Sequence, residues 1–131
     1  MNSVVHFEMP AKDTKRMSDF YANTFGWQTQ QMGADMGNYV LATTTELDEN
    51  RRPKQPGAIN GGFYPRTEDP VTHAPSVVIA VDDLQDHIKK VTAAGGKIIG
   101  EPMPIPGVGI WVSFFDTEDN RVSMLQPNPM G

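Results

Sequence analysis

The chain has 131 residues, 38% of them hydrophobic and 21% charged, with a formal net charge of −5 and no cysteine. This length suits one domain that buries a core without disulfides or a structural metal. The acidic balance excludes a general nucleic-acid or anionic-membrane surface, each of which needs a basic patch, and the missing cysteines exclude thiol nucleophiles, thiolate metal sites and disulfides.

The opening MNSVVHFEMP has neither the basic region nor the long apolar stretch of a signal peptide, and no later run is long enough to span a bilayer, so a cytoplasmic protein is expected. Val4 to Met9 alternates as a strand, with Val5, Phe7 and Met9 on one face and His6 and Glu8 on the other. Pro10 is expected to end it. Asp13 is placed to cap a helix from Thr14 to Thr24 or Phe25, whose stripe of Met17, Phe20, Tyr21 and Phe25 reads as core, and Gly26 closes it. Strands follow at Trp27 to Gln31, Asn38 to Thr44 and Ala58 to Tyr64, the last interrupted by Gly61 and Gly62, which mark a bulge or a close approach by another group. Glu46 to Pro56 is a polar loop, and Pro65 to Pro75 reads as a linker.

The second half repeats the order. Ser76 to Val81 is a strand, Asp82 or Asp83 caps a helix striped by Leu84, Ile88, Val91 and Ala94, and Gly95-Gly96 ends it. Lys97 to Ile99 is a strand and Pro102 to Gly109 a loop. Ile110 to Phe115 and Arg121 to Leu125 are two more strands around the turn Asp116 to Asn120, and Pro127 and Pro129 end the ordered chain. Shifting the sequence by 70 residues lays His6 on Ser76, Asp13 on Asp83 and Gly26 on Gly96. The fold class is therefore α+β, with two βαβββ modules in tandem. The domain spans 1–131, with module one at about 3–65, the linker at about 65–75 and module two at about 76–127.

Asp13-(x6)-Phe20-Tyr21-(x4)-Gly26-Trp27, Val81-Asp82-Asp83-Leu84, Gly95-Gly96-Lys97 and the turn Asp116-Thr117-Glu118-Asp119-Asn120-Arg121 together resemble the vicinal oxygen chelate superfamily, which includes glyoxalase I, bleomycin-resistance proteins and extradiol dioxygenases. The resemblance implies a cup-shaped, glyoxalase-like fold around an organic small molecule, and a homodimer. It also implies metal ligands on the first and last strands of each module. Those positions fall on His6, Ser76, Ser123 and the stretch Asn60 to Phe63, so one imidazole stands where four ligands are expected. One histidine and neutral hydroxyls are a poor set for a divalent ion. The expectation is a degenerate metal site with no cofactor, His6 being the ligand if any ion binds.

Two function classes follow. One is a metal-free binding protein whose ligand contacts are Tyr39, Ser76, Trp111, Ser113, Arg121 and Ser123, Trp111 offering an aromatic wall. The other is a lyase, isomerase or dioxygenase-type enzyme acting on a carbonyl or diol substrate, with His6 as metal ligand or base. A touching Glu8 would make His6 more basic. The bland alternative is a His6–Glu8 hydrogen bond that satisfies two half-buried polar groups. His73 in the linker is expected in solvent and His87 at a helix boundary. No nucleophile elbow, phosphate loop or dinucleotide fingerprint occurs.

Overall fold

Strand β1 (Val4–Ala11) does not stop at Pro10. It pairs in parallel with β4 (Asn60–Pro65), and the Ala11 carbonyl accepts from Arg66 N–H at 3.0 Å on that side. The polar groups of successive strand residues point to alternate sides, so Pro10 turns its missing N–H away from β4 and costs that ladder nothing. The computed structural model describes residues 1–129, and its secondary structure is two copies of βαβββ.

Module one comprises residues 6–75. Its helix α1 (Thr14–Phe25) begins where Asp13 Oδ1 accepts from Arg16 N–H at 3.0 Å, and it ends at Gly26, whose φ of 75° places it in the left-handed region. The strands β2 (Gln28–Gln31) and β3 (Val40–Thr43) complete a sheet in the order β2-β3-β4-β1. Ala11, Val40, Ala42 and Phe63 form the buried core, against which Phe7, Met9, Met17, Tyr21 and Trp27 pack. Tyr21 stacks on Trp27 with ring centroids 4.6 Å apart. The expectation that the whole aromatic stripe of α1 is core does not hold: Phe20 is 55% exposed and Phe25 63%. At 100° per residue these two lie on opposite flanks of the Met17–Tyr21 line, and the sheet covers only the centre of the stripe. The expected linker carries a short 3₁₀ turn at Pro70–His73, capped by Asp69, and the Tyr64 hydroxyl donates to the carbonyls of Thr72 and Ala74. His73 is in solvent.

Module two comprises residues 1–5 with 76–129 of the described chain, Ala80 N–H donating to the Ser3 carbonyl at 2.9 Å. Its strands β5 (Ser76–Ala80), β6 (Lys97–Ile105), β7 (Gly109–Phe115) and β8 (Arg121–Pro127) are ordered β5-β8-β7-β6. The helix α2 (Leu84–Ala93) is capped by Asp83, with backbone angles of −136° and 105° against −141° and 104° at Asp13. The repeat is thus closest at the helix starts. At the helix ends it slips: Gly95, not Gly96, has positive φ, because α2 stops two residues earlier. Val81, Leu84, Val112 and Met124 are buried, with Ile79, Ile88, Val91, Ile98, Ile110 and Phe114 around them.

Two boundaries differ from the sequence reading. β6 continues through Pro102 and Pro104 to Ile105, where a loop was expected, with a register shift between Ile99 and Met103. As the last strand of the module-two order it can hold proline, since a bulged edge leaves groups unpaired anyway. β8 likewise runs to Pro127. The turn between β7 and β8 is built on Asp116, whose carboxylate accepts from the backbone of Glu118 and Asn120 and from the Asn120 side chain. These bonds hold its carboxyl below the usual range, the Asn120 side chain contributing most. Among the described residues no helix is long and apolar enough to cross a membrane.

Candidate functional site

Alternation along β1 sends Phe7, Met9 and Ala11 to the α1 side of module one, and His6, Glu8 and Pro10 to the opposite face. Tyr39, just before β3, joins His6 and Glu8 there. The His6 Nε2 and the Tyr39 hydroxyl are 2.9 Å apart, and the hydroxyl is also hydrogen-bonded to the Glu8 carboxylate. Two polar side chains of β1 and one from the residue just before β3 therefore meet over β4, which lies between those strands.

The glycines of β4 explain how. Gly62 stands level with Glu8 on β1 and Leu41 on β3, and a Cβ there would fall inside the Tyr39 ring. A Cβ on Gly61 would likewise enter the Phe7 ring. One glycine makes room for Tyr39 on the polar face and the next for Phe7 on the core face. Close approach, one of the two meanings of glycine within a strand, applies to both.

Burial sets the electrostatics. It pushes the His6 imidazole down to about 4, so the ring is neutral at physiological pH. It also pushes the Tyr39 phenol well above its ordinary value, reinforced by the Glu8 charge and then by the hydrogen bond to Glu8. His6 is bonded to Tyr39, and desolvation is what moves its imidazole. With Glu8 ionised, its carboxylate only accepts. The Tyr39 O–H then donates to Glu8, and His6 Nε2–H donates to the Tyr39 oxygen. His6 Nδ1 becomes a hydrogen-bond acceptor.

Module two holds the other sequence-selected residues. Trp111, Ser113 and Phe115 alternate with Ile110, Val112 and Phe114, and the latter three face the α2 core. Ser113 and Ser123 are opposite each other on β7 and β8, both buried, and their hydroxyls bond at 2.8 Å. Ser76 Oγ is buried without a hydrogen-bond partner among the described residues. The parallel register that sets Val78 beside Ser123 brings Ser76 level with Arg121. Arg121 follows the turn, opposite Phe115.

These donors do not fit a divalent metal. In module one, His6 Nε2 is taken by Tyr39, and Asn60, level with His6, uses its Oδ1 to accept from the Thr44 and Thr45 amides at 2.7 and 3.0 Å. In module two, the Ser123 hydroxyl is taken by Ser113. No group of three or more histidine, aspartate or glutamate side chains suited to a metal occurs among the described residues. The sequence offered Tyr39 as a candidate ligand contact, but its hydrogen bond to His6, 33 positions away, was not legible there. The paired glycines were the signal that something large crosses β4.

A sequence profile of the Glyoxalase/Bleomycin resistance protein/Dioxygenase superfamily matches residues 3–124. The chain belongs to this superfamily. A glyoxylase-like domain-containing protein of Didymella fabae is 32% identical over 116 residues, covering 86% of this chain and 84% of that one. Among solved structures, a hypothetical protein of Bacillus halodurans superposes with a TM-score of 0.70 at 13% identity, over 99% of this chain and 97% of that one. Methylmalonyl-CoA epimerase of Mycobacterium tuberculosis superposes at 0.68 with 15% identity, over 96% and 88%. At these identities the structures show a shared glyoxalase-type fold.

Proposed function

We propose that this superfamily member binds an organic small molecule without a metal, and that the polar face of module one supplies the contact. The observation that carries the reading is the His6–Tyr39 hydrogen bond built over Gly62. It converts the one imidazole at a metal-ligand position into part of a neutral hydrogen-bonding surface. An imidazole near 4 is also a weak base for taking a proton from a carbon acid at neutral pH, which favours binding over His6-driven catalysis. Methylmalonyl-CoA epimerase acts on a CoA thioester, and a ligand with a carbonyl group belongs in the first screen for that reason. In module two, Ser76, Trp111 and Arg121 are the proposed contacts, Ser76 because its buried hydroxyl has bonding capacity to offer, while the Ser113–Ser123 pair supports the sheet. A homodimer in the cytoplasm is the proposed setting.

The test is a metabolite screen by thermal shift with and without a chelator, followed by titration calorimetry. Hits unaffected by chelator and weakened in Tyr39→Phe and His6→Gln support the reading. Hits that vanish with chelator, or bind both variants as tightly as wild type, overturn it.

A further inference from the structure

On the side of the module-one sheet that carries α1, away from His6 and Glu8, a groove of about 350 Å³ opens to solvent where β1 runs into the helix. Asp13, Arg16, Met17 and Phe20 stand at i, i+3, i+4 and i+7, which makes them one stripe along α1 and its cap, and Pro10, Ala11 and Lys12 line the groove beside it. Phe20 is 55% exposed, yet its ring is held: it meets Tyr21 edge-on with centroids 5.0 Å apart and Phe25 at 6.4 Å. The apolar wall is fixed without being covered. Lys12 and Arg16 are both exposed, and among the described residues neither joins an ion pair. The flanking acids of α1 are already engaged, Asp13 with the Arg16 amide as the helix cap and Asp19 with Lys15 at 2.8 Å. Two uncommitted cations thus stand beside an aromatic wall, on a chain whose net charge is −5.

We infer that this groove is a second binding site, for a small aromatic carboxylate. It is separate from the His6–Tyr39 contact and does not rest on it. Covering the Phe20 ring and the Met17 side chain supplies the attraction. The volume is near the lower end of the range for ligand pockets, about 300–1,000 Å³, and suits one ring system better than a large cofactor. An uncharged apolar guest would leave Lys12 and Arg16 as they are. A carboxylate engages both, and the forked donors of Arg16 match its two oxygens. Because the groove is open and the cations exposed, the charge contribution is small and falls with salt. Lys12 and Arg16 therefore set the selectivity, and Phe20 and Met17 the affinity.

The experiment titrates naphthoate, naphthamide and acetate into the whole protein, labelled with ¹³C at the methionine methyl groups, and follows the Met17 signal by NMR. Naphthoate should move it with a Kd on the order of 1 mM, about three- to tenfold tighter than naphthamide, and acetate should leave it in place. Raising the salt should narrow the gap between acid and amide. Lys12→Gln combined with Arg16→Gln should close it, with the helix cap intact because that bond comes from the Arg16 backbone amide. Phe20→Ser should weaken both ring-bearing probes. Equal binding of acid and amide to the wild type overturns the inference, and so does a Met17 signal that no probe moves. A Met17 shift that follows protein concentration in place of probe concentration identifies a second copy of this chain as the occupant and overturns it too. Should Phe20→Ser fail to fold, the wild-type comparison of acid with amide and the double variant at Lys12 and Arg16 decide the matter.

Discussion

His6 is a base that the fold keeps uncharged, and this has a signed consequence for stability. Its folded value, about 4, lies below the ordinary 6.5. Between these values the unfolded chain takes up a proton that the folded chain refuses, so stability rises with pH from about 4 to 6.5 and this contribution is flat above. The shift corresponds to about 3 kcal/mol, and urea midpoints measured across that range should show the slope in wild type and lose it in His6→Gln. Tyr39 acts at the other end. Its raised value means that the unfolded chain loses the phenol proton first, so stability should fall as pH rises above about 10. Tyr39→Phe should cost about 1–3 kcal/mol at neutral pH, because His6 Nε2 loses its partner and Glu8 loses a donor. The residue types at this site were readable in the sequence. Their pairing was not, since alternation along β1 gives a face but says nothing of what crosses the sheet to meet it.

The two helices test the repeat at the scale of elements. Asp13 and Asp83 make the same bond to the amide three residues on, at 3.0 Å each, from nearly the same backbone angles. Replacing either with alanine should cost about 1 kcal/mol, and the two losses should agree within a few tenths. Thermal or urea unfolding of the two variants measures both. The aromatic stripe of α1 gives a contrast. Phe63→Ala, in the buried core, should cost about 3–5 kcal/mol, whereas Phe20→Ser on the exposed flank should cost far less. Caps and strand alternation are local, so the sequence showed them at once. The width of a buried stripe depends on how much sheet lies beneath the helix, and that is set by β2 and β3, which no periodicity within α1 reports. The prolines of β6 misled for a similar reason: edge position and bulge, which tolerate them, are properties of the sheet.

Across the whole molecule, one sequence plan used twice has been given different side chains at equivalent places. His6 and Ser76 share a position in their modules; one is tied to a tyrosine, and the other is a buried hydroxyl without a partner. The family could be read from the spacing of caps, glycines and the Asp116 turn because those residues build the modules. The chemistry could not, because the His6–Tyr39 bond joins residues 33 positions apart across β4, and no local pattern reports it. The central claim is that His6 is a neutral, hydrogen-bonded group and not a metal ligand. It is tested most directly by NMR of the ¹⁵N-labelled His6 ring from pH 3 to 8, with and without excess zinc at pH 7. The account predicts titration near 4, a protonated and hydrogen-bonded Nε2 at neutral pH, and no response to zinc. Titration near 6.5, or a zinc-induced shift of the His6 nitrogens that Tyr39→Phe does not alter, would contradict it.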